Sequence, residues 1–173
     1  MPTIMSHAAI PIAGALMLGR ERLSVPVIVT GIAFAMLPDA DVIGFGYGID
    51  YAASWGHRGA THSLLFAAIS ALVATALIRP EKYLAAGLFL FVAMASHGLL
   101  DTLTNGGLGA ALFWPWSDVR HFASSTPIAV SPIGVANFLS DRGLKVLQSE
   151  AIWIWTPLVI VTLPVWIIRS RSR

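Results

Sequence analysis

Cysteine is absent from this 173-residue chain, which excludes disulfides, thiolate metal sites and a cysteine nucleophile together. Any metal must then be held by His, Asp or Glu. Charge is also scarce: 12% of residues are charged and 56% hydrophobic, with a mean hydropathy of +0.74, whereas an average soluble domain is about a quarter charged. A water-soluble core of this size has no use for that much apolar surface. A bilayer does, because a helix needs roughly 20 mostly apolar residues to cross the hydrocarbon. Lys and Arg occur in small groups rather than in a basic stripe, so the net charge of +2 does not point to nucleic acid. No Gly/Ser linker, low-complexity tract or fixed-period repeat is present, which predicts a single domain over residues 1–173. The flank Met1–Ser6 lacks the positive charges of a secretory signal, so the first apolar run is expected to be retained.

What is present is a series of long apolar runs, at about 6–19, 23–43, 62–79, 83–101 and 151–168. They predict an all-α integral membrane bundle of about five transmembrane helices. The first run is short and is expected to be tilted, half-inserted or packed within the bundle. Arg20 and Arg22 join the first two runs, Arg79 and Lys82 the third and fourth, and Arg169, Arg171 and Arg173 follow the last. Loops rich in Lys and Arg stay cytoplasmic, which sets the N-terminus outside and the C-terminus inside. The loops 44–61 and 102–150 then face outward. The longer one holds FWPW at Phe113–Trp116 and TPIAVSPIG at Thr126–Gly134 and reads as an irregular loop between the last two spans, its tryptophans suited to the interface.

On this topology the ionisable residues sort to one side. His7 opens the first run, Asp39 and Asp41 close the second, His57 and His62 precede the third, and His97 with Asp101 closes the fourth. The opposite face receives no His or Asp. His97 and Asp101 are four apart, hence one helical turn from each other on one side, a spacing that suits two ligands of one metal or a hydrogen bond within the helix. Imidazole and carboxylate are normal zinc ligands, and ionisable groups at membrane depth are functional candidates by default. Asp39 and Asp41 are two apart and face different ways on a regular helix; either the helix unwinds after Pro38 or one of them alone is a direct ligand, Asp39 ranking first. In GHRGATHS, Gly56–Ser63, either Thr61 or Ser63 can cap the helix that follows, and its first N–H groups could receive an anion. Arg58 carries a planar fork that matches phosphate oxygens; the alternative is a pairing with Asp50 or a headgroup. His121 has no carboxylate at ligand spacing.

SH at Ser6–His7, LPDAD, GHRGATHS, SHGLLDTLTNGG, FWPW and the proline-rich stretch after it, in this order and spacing over about residues 6–134, resemble the YdjM family of bacterial membrane-bound metal-dependent hydrolases. The resemblance implies an inner-membrane location and hydrolase activity. The order His, Asp, His, HxxxD is also distantly similar to the zinc-dependent phospholipase C and single-strand nuclease superfamily, which implies metal ligation by His7, Asp39, His62, His97 and Asp101. That superfamily carries a further HxxxE pair downstream, and here Glu150 has no His four residues before it. One or two ions, zinc or manganese, are therefore expected rather than three. The reading is a hydrolase that cleaves a phosphoester in a lipid or lipid-linked substrate, with no nucleic-acid partner and with its site toward the outer face. Arg58 would stabilise developing charge, and Asp41 or His57 would orient water or act as general base. The rival is a non-enzymatic protein that binds or transports a metal ion through the same cluster.

Overall fold

The computed structural model describes residues 1–132 and 135–171; among them it is helical, with two isolated β-bridges and no strand. Gly134 of the proline-rich stretch and Arg173 of the tail lie outside the described residues. The apolar runs become α1 (Ile4–Leu18), α2 (Val25–Met36), α3 (Leu64–Ile78) and α4 (Tyr83–Thr102), followed by α5 (Val135–Phe138), α6 (Asp141–Glu150) and α7 (Thr156–Arg171). Leu37–Tyr47 extends α2 as a 3₁₀-helix, and the π-helical Ala151–Trp155 joins α6 to α7 without a break. The last helical run thus begins ten residues before the apolar stretch, and the irregular segment is correspondingly shorter than expected.

Three continuous helices, Val25–Tyr47, Tyr83–Thr102 and Asp141–Arg171, are long and apolar enough to cross a membrane. The chain is therefore an all-helical bundle of the membrane type. α1 and α3 are apolar but have only 15 residues each, about 22 Å at 1.5 Å per residue.

The packing follows small residues at four-residue spacing, which let helix backbones approach in lipid. Val27, Gly31 and Ala35 are the buried face of α2, and Ala67, Ala71 and Thr75 that of α3. Both lie against α4, which also contacts α1 and is the most buried helix. The ring of Phe89 rests on Gly31 so closely that a Cβ there would meet it at 2.3 Å. Leu23, Val27, Ala86, Phe89 and Leu90 form the inner core. Outward positions such as Leu77 (77% exposed) and Ile168 (70%) present bare aliphatic surface, as hydrocarbon requires and water would not.

The hairpin order brings the end of α2, the start of α3, the end of α4 and the start of α1 to one end of the bundle. At the other end Arg169 donates to the Leu16 carbonyl and pairs with Glu21. The irregular segment after α4 folds back over the first end: Ala123 N–H donates to Thr102, Ile128 N–H to Leu103 and Asn105 N–H to Ile128. These backbone groups are thus satisfied by protein, the condition under which non-helical chain is tolerated at membrane depth.

Candidate metal centre

Pro38 sits at the junction where α2 tightens into 3₁₀ turns. That change of pitch splits the two aspartates as the spacing predicts. Asp39 turns to His97 Nε2 (3.2 Å) and His62 Nε2 (3.7 Å). Asp41 turns instead to the loop, accepting from Thr61 Oγ1 at 2.9 Å and Arg58 N at 3.1 Å, with His57 Nδ1 at 2.6 Å and His62 Nδ1 at 3.3 Å. Ser63, not Thr61, caps α3 by accepting from Phe66 N. At that helix start the Phe66 N–H is thereby taken, and the Leu64 N–H by the Leu112 carbonyl, so neither is open to an anion.

His97 and Asp101 both face the bundle axis and are fully buried. Gly98 between them lets α4 lie against the His62 backbone, whose carbonyl oxygen would be 2.3 Å from a Cβ at that position. Asp39, His62, His97 and Asp101 thereby bring one ligand atom each to within 4.8 Å of one another, a group that could hold a metal ion. A second such group, Asp41, His57 and His62, shares His62, but the Asp41 oxygens already have hydrogen-bond partners.

The nitrogen chemistry of the first group is restrictive. His97 Nδ1 lies 2.7 Å from the Ala35 carbonyl and must carry a proton to bond it, which leaves its Nε2 with a lone pair. His62 Nδ1 faces the Asp41 carboxylate and Thr61 Oγ1, so its Nε2 is the other free position. The two Nε2 atoms stand 3.1 Å apart. Two lone pairs that close need a positive centre between them. In the metal-free chain a proton on His62 supplies it: burial opposes that proton, but Asp101, Asp39 and Asp41 outweigh burial and raise its pKa to about 10. One proton does not satisfy the rest, since Asp39 Oδ1, Asp101 Oδ1 and both His7 nitrogens are buried without a hydrogen bond, while Asp101 Oδ2 has the Arg58 ion pair. A divalent ion would address several of these together. Bonds of about 2.0–2.1 Å on a tetrahedron put ligand atoms about 3.3–3.4 Å apart; the contacts that His62 Nε2 makes with its three neighbours and His97 Nε2 with Asp39 run from 3.1 to 3.7 Å, and all pairs lie within 4.8 Å.

The other expected residues lie around this group in different roles. His7 is stacked on His97, ring centroids 3.7 Å apart, with its Nε2 3.8 Å from Asp101 Oδ1, and it is not one of the four mutually close ligand atoms. Arg58 is buried in a left-handed backbone conformation (φ 65°), a position uncommon for a side-chain-bearing residue. It turns inward to Asp101 Oδ2 (3.0 Å from Nε), the Gly106 carbonyl and Thr104 Oγ1, rather than to Asp50 or a headgroup. His121 sits in the bridge with Ala110, edge-on to Phe113.

Three contributors are not evident from motif spacing. Arg120 fastens the 51–57 loop by donating to the carbonyls of His57 and Ala53, and burial lowers its pKa, with Tyr51 opposing. Tyr51 packs edge-on against His57, and burial raises its pKa, with Arg58 opposing. Glu150, fully buried, accepts from Thr3 N, Thr3 Oγ1 and Ser6 Oγ, while Trp155 Nε1 donates to Ser6 Oγ. A lone acid at the head of a long apolar run is the signal that could have identified it.

A family model described as "YdjM inner membrane protein" matches residues 1–173. Inner membrane protein YbcI of Escherichia coli (strain K12) is 40% identical over 171 residues, covering 96% of this chain and 98% of that protein. No solved structure matches.

Proposed function

This chain belongs to the YdjM family of inner membrane proteins, and from that premise we propose that it is a membrane-bound metal-dependent hydrolase that cleaves a phosphoester in a lipid or lipid-linked substrate. The observation that supports this best is the pair of facing imidazole nitrogens flanked by buried carboxylate oxygens that make no hydrogen bond, at one end of the bundle.

Asp39, His62, His97 and Asp101 would hold one divalent ion, zinc first and manganese second, with His7 against the free edge of Asp101. Bound there, the ion supplies Lewis acidity to a phosphoryl oxygen and lowers the pKa of a coordinated water. The protein's own part is orientation and proton handling. Asp41 holds His62 through Nδ1, the carboxylate–imidazole arrangement that fixes a ligand's tautomer. It also holds His57 through Nδ1, leaving the other ring nitrogen as a proton acceptor or donor. Arg58 partly neutralises Asp101, which favours a single ion over a cluster.

Membrane depth agrees with a lipid substrate. α1 and α3 run about 22 Å from the basic end to the polar end, whereas the hydrocarbon is about 30 Å thick. With five helices crossing, and with Arg20, Arg22, Arg79 and Lys82 at the cytoplasmic boundary, the cluster lies recessed below the outer surface. There it is reachable sideways from the outer leaflet.

The test is elemental analysis of the detergent-purified protein beside His97→Ala and Asp101→Asn, followed by a phosphoester screen. Wild type is expected to retain about one zinc or manganese per chain and both folded variants to lose it with any hydrolysis. Equal, negligible metal in all three after reconstitution would overturn the reading. Metal retention with no ester cleaved, together with His97-dependent metal accumulation in cells, would favour a transporter.

A further inference from the structure

Beside the His/Asp group lies a chamber of about 720 Å³ whose walls include Tyr51, His57, Arg58, Ser140 and Arg142. Its inner wall is the site's own: Arg58 Nε is 3.0 Å from Asp101, and the His57 ring, held from behind by Asp41, borders the cavity. Its outer wall carries Arg142, exposed and without an ion-pair or hydrogen-bond partner among the described residues. Arg142 occupies the first turn of α6, where a cation opposes the helix dipole; nothing internal rewards it there.

The chamber does not end at a polar rim. Met1, Ser131 and Pro132 also wall a second, apolar cleft of about 270 Å³ that continues past Ile4, Met5 and Phe138. Ile4 and Met5 are 57% and 47% exposed on the outer side of α1, a face this fold leaves to hydrocarbon. A cavity of mixed lining with one free guanidinium thus opens through an apolar slot toward lipid.

We infer that chamber and cleft together bind a single-tailed or double-tailed amphiphile with a phosphate-bearing head. The head sits between Arg142, Ser140 and Tyr51, facing His57. The aliphatic chain leaves along Ile4, Met5 and Phe138. The inference rests on the hydrolase reading for its catalytic meaning, since it delivers a phosphoester to the Asp41–His57 side of the metal ligands. Binding itself requires neither metal nor turnover.

The test is therefore a binding measurement on metal-free, full-length protein in maltoside micelles, by titration calorimetry with inorganic phosphate, butyl phosphate and hexyl phosphate. Affinity is expected to rise about two- to fourfold per methylene. Arg142→Gln, an exposed change, should weaken all three ligands about tenfold or more. Ile4→Gln should flatten the chain-length dependence while leaving inorganic phosphate unchanged. Equal affinity for all three ligands in wild type would reduce the site to one for free phosphate and overturn the tail assignment. Undiminished binding in Arg142→Gln would overturn the head assignment, as would no binding at all. Because no metal or product is read, these outcomes are independent of metal analysis, whose failure would sink the hydrolase reading alone.

Discussion

His62 is the residue on which most of the site's chemistry converges, with three carboxylates around one buried ring. Its pKa in the folded, metal-free chain is raised to about 10, above the unfolded value of about 6.5. A raised pKa contributes stability that is complete below about pH 6.5 and disappears as pH climbs through 10. The metal-free protein is thus expected to lose melting temperature across that window. On the proposed reading, metal uptake near pH 7.5 displaces the same proton, so calorimetric heats of zinc binding should vary with the buffer's ionisation enthalpy at a slope of about one proton. A slope of zero would mean that the ion does not bind at His62. The pairing of His97 with Asp101 is legible in sequence because four residues make one turn. The inward turn of Arg58 is not, because it depends on a left-handed backbone angle that no spacing rule reports.

At the level of elements, the ends of the helices carry the design. The apolar runs foretell the helices to within a few residues, since lipid leaves hydropathy as the dominant signal. α6 is the exception. Asp141, Arg142, Lys145 and Glu150 make it read as loop, although Gly143, Val146 and Glu150 are its buried face at helical spacing, a pattern that periodicity could have revealed. Asp39 and Asp41 are readable as a diverging pair, but which one meets the histidines is decided by the 3₁₀ pitch after Pro38. The contact between α4 and the Ala60–His62 turn gives a sharp prediction. Alanine for glycine within a helix ordinarily gains up to about 1 kcal/mol. Gly98→Ala is expected instead to cost about 1–3 kcal/mol by overpacking, because the obstacle is the His62 carbonyl and not a flexible side-chain end. Thermal melts should show the loss, and metal content should fall with it. A stabilised variant with full metal would mean that the two elements are not in contact.

For the whole molecule, the direction of the polar end decides from which side of the membrane the site is reached. The lack of native cysteine makes single introduced thiols clean reporters. Trp116→Cys lies in the irregular segment near the polar end, and Lys82→Cys in the α3–α4 connection; both positions are exposed. With the polar end outward, a membrane-impermeant maleimide added to intact spheroplasts should label Trp116→Cys and reach Lys82→Cys only after lysis. The reverse pattern would turn the site to the cytoplasm and remove the outer-leaflet route.

The carboxylate of Glu150 grips Thr3 and Ser6 across 144 to 147 residues of chain, and this ordering in space has a consequence in time. During synthesis α2 to α4 leave the ribosome before the last helix, so the start of α1 has its stacking on His97 but not yet its anchor on Glu150. The seat of α1 beside the His/Asp group is completed only when the final helix is released. A nascent or truncated chain therefore carries every residue of the His/Asp group before the start of α1 is locked beside it.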